Sequence, residues 1–177
     1  MAITKIQSES LNLADTYDFT GTVTGAGGNM KPAFHAYLGS AQTGLSDSAT
    51  ATLACENEIY DTDSAYNTST YTFTPQTAGK YFVYAQAVGD SSADANLKAT
   101  DLYLYKNTSL AGLGTMNYQG NPIRVATLYA SAVLDMNGSS DYVKAQMYLD
   151  TGNGGNWLIN GHSTRQYTYF GAYKIIT

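Results

Sequence analysis

The chain has 177 residues, enough for one ordinary domain with a full core plus a short appendage. Hydrophobic residues make up 44%, which excludes disorder by composition, while charged residues make up only 13%, about half the usual share. The net charge of −5 comes with nine scattered Lys and Arg, which argues against binding the phosphate backbone of a nucleic acid. Ser, Thr, Asn, Gly and 16 Tyr take the place of charge. Tyr and Thr favour pleated surfaces and Gly, Asn and Ser close turns, so the composition points to an all-β chain.

Residues 1–30 read as an arm and linker, and residues 31–177 as the main domain. In the arm, Ile3, Ile6, Leu11 and Leu13 form a sparse apolar pattern. Tyr17 and Phe19 open a β-prone run that ends at Gly25, Gly27 and Gly28, a stretch suited to a joint. No apolar run follows a basic start, so a secretory signal is not expected and synthesis in a host cytoplasm is. No window approaches the roughly 20 apolar residues of a transmembrane helix, so membrane insertion is not expected either.

From Lys31 onward, short strand-like runs alternate with turns. Pro32 to Leu38 alternates, with Phe34, Ala36 and Leu38 on one face and Ala33, His35 and Tyr37 on the other. Tyr71 to Thr74 stops at Pro75, which cannot donate to a ladder. Lys80 to Val88 is the strongest strand signal. Leu102 to Tyr105, Val125 to Leu134, Tyr142 to Leu149 and Tyr167 to Ile176 follow. Tight connections are expected at Asn137–Gly138, at Asn160–Gly161 and from Thr151. Segments 107–124 and 151–167 read as turn-rich. Many short strands at this spacing imply a sandwich or barrel.

The run FTPQTAGKY carries Phe73, Pro75, Gly79 and Tyr81 at the spacing of the C1q/TNF-like jelly-roll signature, and the chain resembles that family. Tyr66 stands seven positions before Phe73, and Asp61 five before that, as the signature expects. Cys55 and Val83 stand where it expects aromatic residues. PAFHAYL is similar to the family's opening strand. TYFGAYKI, with Phe170 and Gly171, is similar to its closing strand. The resemblance implies a jelly-roll sandwich with a short extended arm, assembled as a homotrimer through an aromatic face. Residues 1–24 resemble N-terminal segments of structural proteins from tailed bacteriophages, cyanophages especially. Together these imply a virion structural protein: a homotrimeric knob, tail fibre or capsid decoration, whose arm docks it to capsid or tail proteins or serves in trimerisation. A free C1q-like recognition module that binds carbohydrate or protein is the alternative.

Catalysis is not expected. His162 and Ser163 are adjacent in sequence and so cannot form a triad pair, and no nucleophile elbow is present. Glu56, Glu58, Asp61 and Asp63 read as a solvated edge rather than a glycosidase pair. No Cys/His set has zinc spacing, and Cys55 reads as a small buried residue. No cofactor is expected beyond calcium, which some C1q-like modules bind; Asp61, Asp63, Asp141 and Asp150 are the candidate carboxylates. Tyr118, Asn153, Asn156, Trp157, Arg165 and Tyr167 are candidate loop contacts for a host-surface glycan or protein, since tyrosine and asparagine on loops make adaptable contacts. Trp157 stacks on a sugar in that reading and packs the trimer or the core in the other.

Overall fold

The computed structural model describes residues 30–175. The candidate arm residues Ile3, Ile6, Leu11, Leu13, Tyr17 and Phe19 lie outside the described residues, as does Ile176 of the last expected strand. The described residues form thirteen strands and no helix: β1 (Ala33–Tyr37), β2 (Gln42–Leu45), β3 (Ala49–Thr52), β4 (Asn57–Asp61), β5 (Tyr66–Asn67), β6 (Thr72–Phe73), β7 (Gly79–Asp90), β8 (Leu97–Lys106), β9 (Ser109–Asn117), β10 (Val125–Met136), β11 (Val143–Thr151), β12 (Trp157–Ile159) and β13 (Tyr169–Lys174).

They pair antiparallel into two sheets. The first runs β2-β12-β7-β13-β1-β4, with β10 along the other flank of β7. The second runs β5-β6-β11-β8-β9, with β3 beside β11. Alternation explains how they face each other. Tyr81, Val83, Ala85 and Ala87 of β7 point inward and are buried, as are Val143, Ala145, Met147 and Leu149 of β11.

Most residues of the jelly-roll signature have a visible structural task. Phe34 is fully buried, stacked on Tyr66 (centroids 4.4 Å apart) and Phe73 (4.7 Å) and edge-on to Phe170 (5.0 Å). Tyr81 meets Phe73 edge-on at 5.7 Å and donates its hydroxyl to the Thr77 carbonyl. Both carboxylate oxygens of Asp61 accept backbone N–H groups, from Ala65 at 3.0 Å and Tyr66 at 2.9 Å, and so cap the turn into β5. The Tyr66 hydroxyl donates to the Cys55 carbonyl at 2.9 Å. Cys55 is buried in the core, and burial pushes its thiol well above the ordinary range. Gly79 adopts φ 149°, where a side chain would also strike Lys174.

Two expected loop regions contain strands. Residues 109–117 of the turn-rich segment are β9, whose inward positions are Gly112 and Gly114 because β10 crosses over them. A Cβ on Gly114 would lie 2.5 Å from the Tyr129 carbonyl oxygen, and backbone cannot swing aside. Gly114→Ala will therefore cost about 1–3 kcal/mol of stability, measured by urea unfolding. Segment 151–167 contains β12, and β12 carries Trp157 into the core.

Candidate assembly surface

The outer face of the first sheet is set by strand register. Residues opposite one another in antiparallel strands share a face, so the pairings align side chains into rows. The middle row is Tyr60, His35, Gly171, Tyr84 and Ser131, from β4, β1, β13, β7 and β10. The next row toward one end is Tyr37, Tyr169, Gln86 and Tyr129. The row on the other side is Tyr173, Phe82 and Val133. These three rows hold no Asp, Glu, Lys or Arg; the nearest ion pair, Lys80–Asp135 at 2.7 Å, lies on the rim.

The rings form a continuous layer. His35 lies 5.3 Å from Tyr169, 5.8 Å from Tyr84 and 6.3 Å from Tyr60, centroid to centroid. Phe82 lies 5.5 Å from Tyr173 and 5.9 Å from Tyr84. His35 Nδ1 is 2.9 Å from the Tyr84 hydroxyl, and its Nε2 is 2.7 Å from Gln166 Oε1. Burial pushes the Tyr84 phenol well up, with the neighbouring Tyr60 phenol adding to the shift, and burial likewise raises Tyr169. Tyr84 and Tyr169 are therefore uncharged through neutral pH. Gly171 makes this packing possible: a Cβ there would lie 2.5 Å from the Tyr84 ring and hydroxyl. Along β10, Tyr129 and Val133 remain 51% and 58% exposed. An antiparallel sheet that faces water commonly carries polar residues at these positions; large aromatic and apolar ones make this face a candidate assembly surface.

The candidate loop residues gather at one end of the sandwich, Trp157 excepted. β7 spans 12 residues, about 36 Å at ~3.3 Å per residue, from Gly79 to Asp90. The chain enters beside the start of β7, where the Met30 carbonyl accepts the Lys174 N–H. Tyr118, Asn153, Asn156, Arg165 and Tyr167 lie around the far end. Asn153 is tied to Asn96 by two hydrogen bonds, its N–H to Oδ1 (3.0 Å) and its Oδ1 from Nδ2 (3.1 Å). Arg165 donates to the Tyr167 hydroxyl at 3.0 Å. Trp157 does not serve as a sugar platform: it is 1% exposed, and its indole N–H donates to the Ser46 carbonyl at 2.7 Å.

The calcium candidates are not brought together, and among the described residues no group of three His, Cys, Asp or Glu could hold a metal ion. Asp61 spends its carboxylate on the β5 turn, and Asp63 accepts from the Thr62 hydroxyl. Asp150 sits on β11 opposite Ala99, toward the far end. Asp141 is bound by Asn107, by Lys106 at 2.9 Å and by the Asn137 N–H. Hydrogen bonds from Asn107 and Lys106 hold its carboxyl down to about 2. A carboxyl lowered by folding stabilises the fold above the ordinary carboxylate range, and that contribution disappears as pH falls through about 2. Asp141→Asn will accordingly flatten the fall in melting temperature between about pH 4 and about pH 2, read by circular dichroism.

Sequence reasoning anticipated an aromatic face but did not name its members. The signal was present: His35 and Tyr37 were placed opposite the core-facing residues, and Phe82, Tyr84, Tyr169 and Tyr173 alternate with core residues in their strands.

The described residues form a two-sheet antiparallel sandwich whose first sheet carries an aromatic outer face. Solved structures sharing this fold include the globular domain of zebrafish complement 1qA protein, with a TM-score of 0.54 and 17% identity over 82% of this chain and 97% of that one. Eiger TNF from S. frugiperda gives 0.57 and 13% over 83% and 94%. Murine APRIL gives 0.54 and 7% over 81% and 98%. The chain thus has a C1q/TNF-like jelly-roll fold. No family model matches it, and no curated protein sequence does.

Proposed function

We propose that the chain is a virion structural protein whose head assembles as a homotrimer and whose residues 1–30 attach it to capsid or tail proteins, as a knob, fibre or decoration. The observation that carries the reading is the uncharged aromatic layer centred on His35, Tyr84 and Tyr169, a surface suited to burial against further copies. Three copies bury the layers around a common axis, as the family resemblance implies. The polarity of the head supports the rest. The chain enters at Met30, and the loops of Tyr118, Asn156, Arg165 and Tyr167 lie about 36 Å away at ~3.3 Å per strand residue, placed to meet a host-surface glycan or protein. The virion assignment rests on the resemblance of residues 1–24 to phage structural proteins.

Light scattering on the purified chain is expected to give three times its 19.0 kDa mass. Deleting residues 1–28 is expected to leave the trimer intact and abolish its incorporation into particles. A folded monomer removes the assembly reading. A trimer that binds glycans and never purifies with particles replaces the virion role with free recognition.

A further inference from the structure

The inference rests on the self-association reading and concerns how that contact is controlled. His35 sits at the centre of the aromatic layer. In the neutral ring, Nε2–H donates to Gln166 Oε1 and Nδ1 accepts the Tyr84 hydroxyl proton. The neighbouring Tyr60 phenol, with burial, holds the Tyr84 phenol protonated. Every group packed against the imidazole is neutral: Tyr60 from β4, Tyr84 from β7, Tyr169 from β13 and Gln166 from the preceding loop. Tyr129 of β10 reaches Tyr84 and Tyr169 from the next row. No salt bridge among the described residues involves His35.

We propose that His35 is the proton-sensitive element of the assembly surface, so that the neutral imidazole favours the trimer and acid releases its subunits. In a free subunit the half-buried ring can be hydrated when it takes a proton. Under a second copy's equivalent layer, whose rows hold no Asp or Glu, it loses that water without a counter-ion, which disfavours the charged form. Protonation also turns Nδ1 into a donor. The Tyr84 hydroxyl must then accept from the ring instead of donating to it. Threefold symmetry repeats the charge three times. Histidine is the side chain whose charge changes between about pH 5 and 8, so the response falls in a range met in cells.

The test is sedimentation velocity of the full chain over a concentration series at about pH 7.5 and about pH 5.5, which bracket the imidazole range. The wild type is expected to dissociate at concentrations at least ~10-fold higher at the acid pH, from one linked proton per subunit. His35→Gln, which keeps a neutral partner for Tyr84 and Gln166, is expected to show no such change. His162→Gln, at the far end of the head, is expected to keep the wild-type response. A wild-type trimer equally tight at both pH values overturns the proposal and leaves self-association standing; so does a His35→Gln variant that responds like the wild type. A wild type monomeric at both pH values overturns both readings. Should His35→Gln fail to assemble at all, NMR titration of the wild-type imidazole decides. Its protonation must fall at lower pH in the trimer than in the dilute monomer, and equal midpoints overturn the proposal.

Discussion

Phe34→Ala will lower the unfolding free energy of the head by about 3–5 kcal/mol, the range for truncating a buried phenylalanine. Phe34 is the ring on which the signature residues converge, with Tyr66 and Phe73 stacked against it and Phe170 meeting it edge-on. Tyr66 and Phe73 pair with each other across β5 and β6, and Phe170 comes from β13 of the opposite sheet. Removing the ring therefore leaves a cavity walled by both sheets, and no single strand can shift to fill it without breaking its own ladder. The urea midpoint should fall with the slope unchanged, which marks a loss of stability rather than a change in exposed surface. Phe82→Ala is the matching control, since Phe82 points to the outer face. Its loss should cost the isolated subunit far less. Comparable losses at the two positions would mean that the core is not organised around Phe34.

The same residues explain how much of the fold was legible. Strands β7, β10 and β11 are long and alternate along most of their length, so their existence and inward faces follow from the residues. The signature is legible because each member serves a local backbone need: a capping carboxylate at Asp61, a positive φ at Gly79, a hydroxyl returning to nearby carbonyl oxygens at Tyr66 and Tyr81. β2, β3 and β9 were not legible. They are short or rich in Ala, Thr, Ser and Gly, and what makes them strands is the element beside them. Gly112 and Gly114 look like turn residues until β10 is seen to cross them. Trp157 has loop-like neighbours in Gly and Asn, yet its hydrogen-bond partner, Ser46, lies 111 residues away in the chain. The assembly surface was half legible. In KYFVYAQAV the inward face is wholly apolar, while the outward face mixes Phe82, Tyr84 and Val88 with Lys80 and Gln86, so alternation identifies the core side but not what the other side meets.

Tyr129→Glu will weaken association at neutral pH by at least ~100-fold while leaving the subunit folded, because loss of a central interface anchor typically costs about 2 kcal/mol or more and each 1.4 kcal/mol is tenfold. Tyr129 is half exposed on β10, in the row shared with Gln86, Tyr169 and Tyr37, so a carboxylate there is hydrated in the monomer. When the layer is covered, that carboxylate loses its water among phenols and an amide with no cation to pair with. Circular dichroism and the urea midpoint should stay near wild type; sedimentation should show the monomer. Tyr129→Phe removes only a hydroxyl and should remain a trimer. The glutamate variant also separates charge from shape. In the Tyr129→Glu, His35→Gln double variant, where the imidazole no longer responds, the added carboxyl takes up protons as pH falls, so assembly should improve with acid. A variant that sediments as the trimer would place β10 outside that contact and confine it to the rows of β1, β13 and β7.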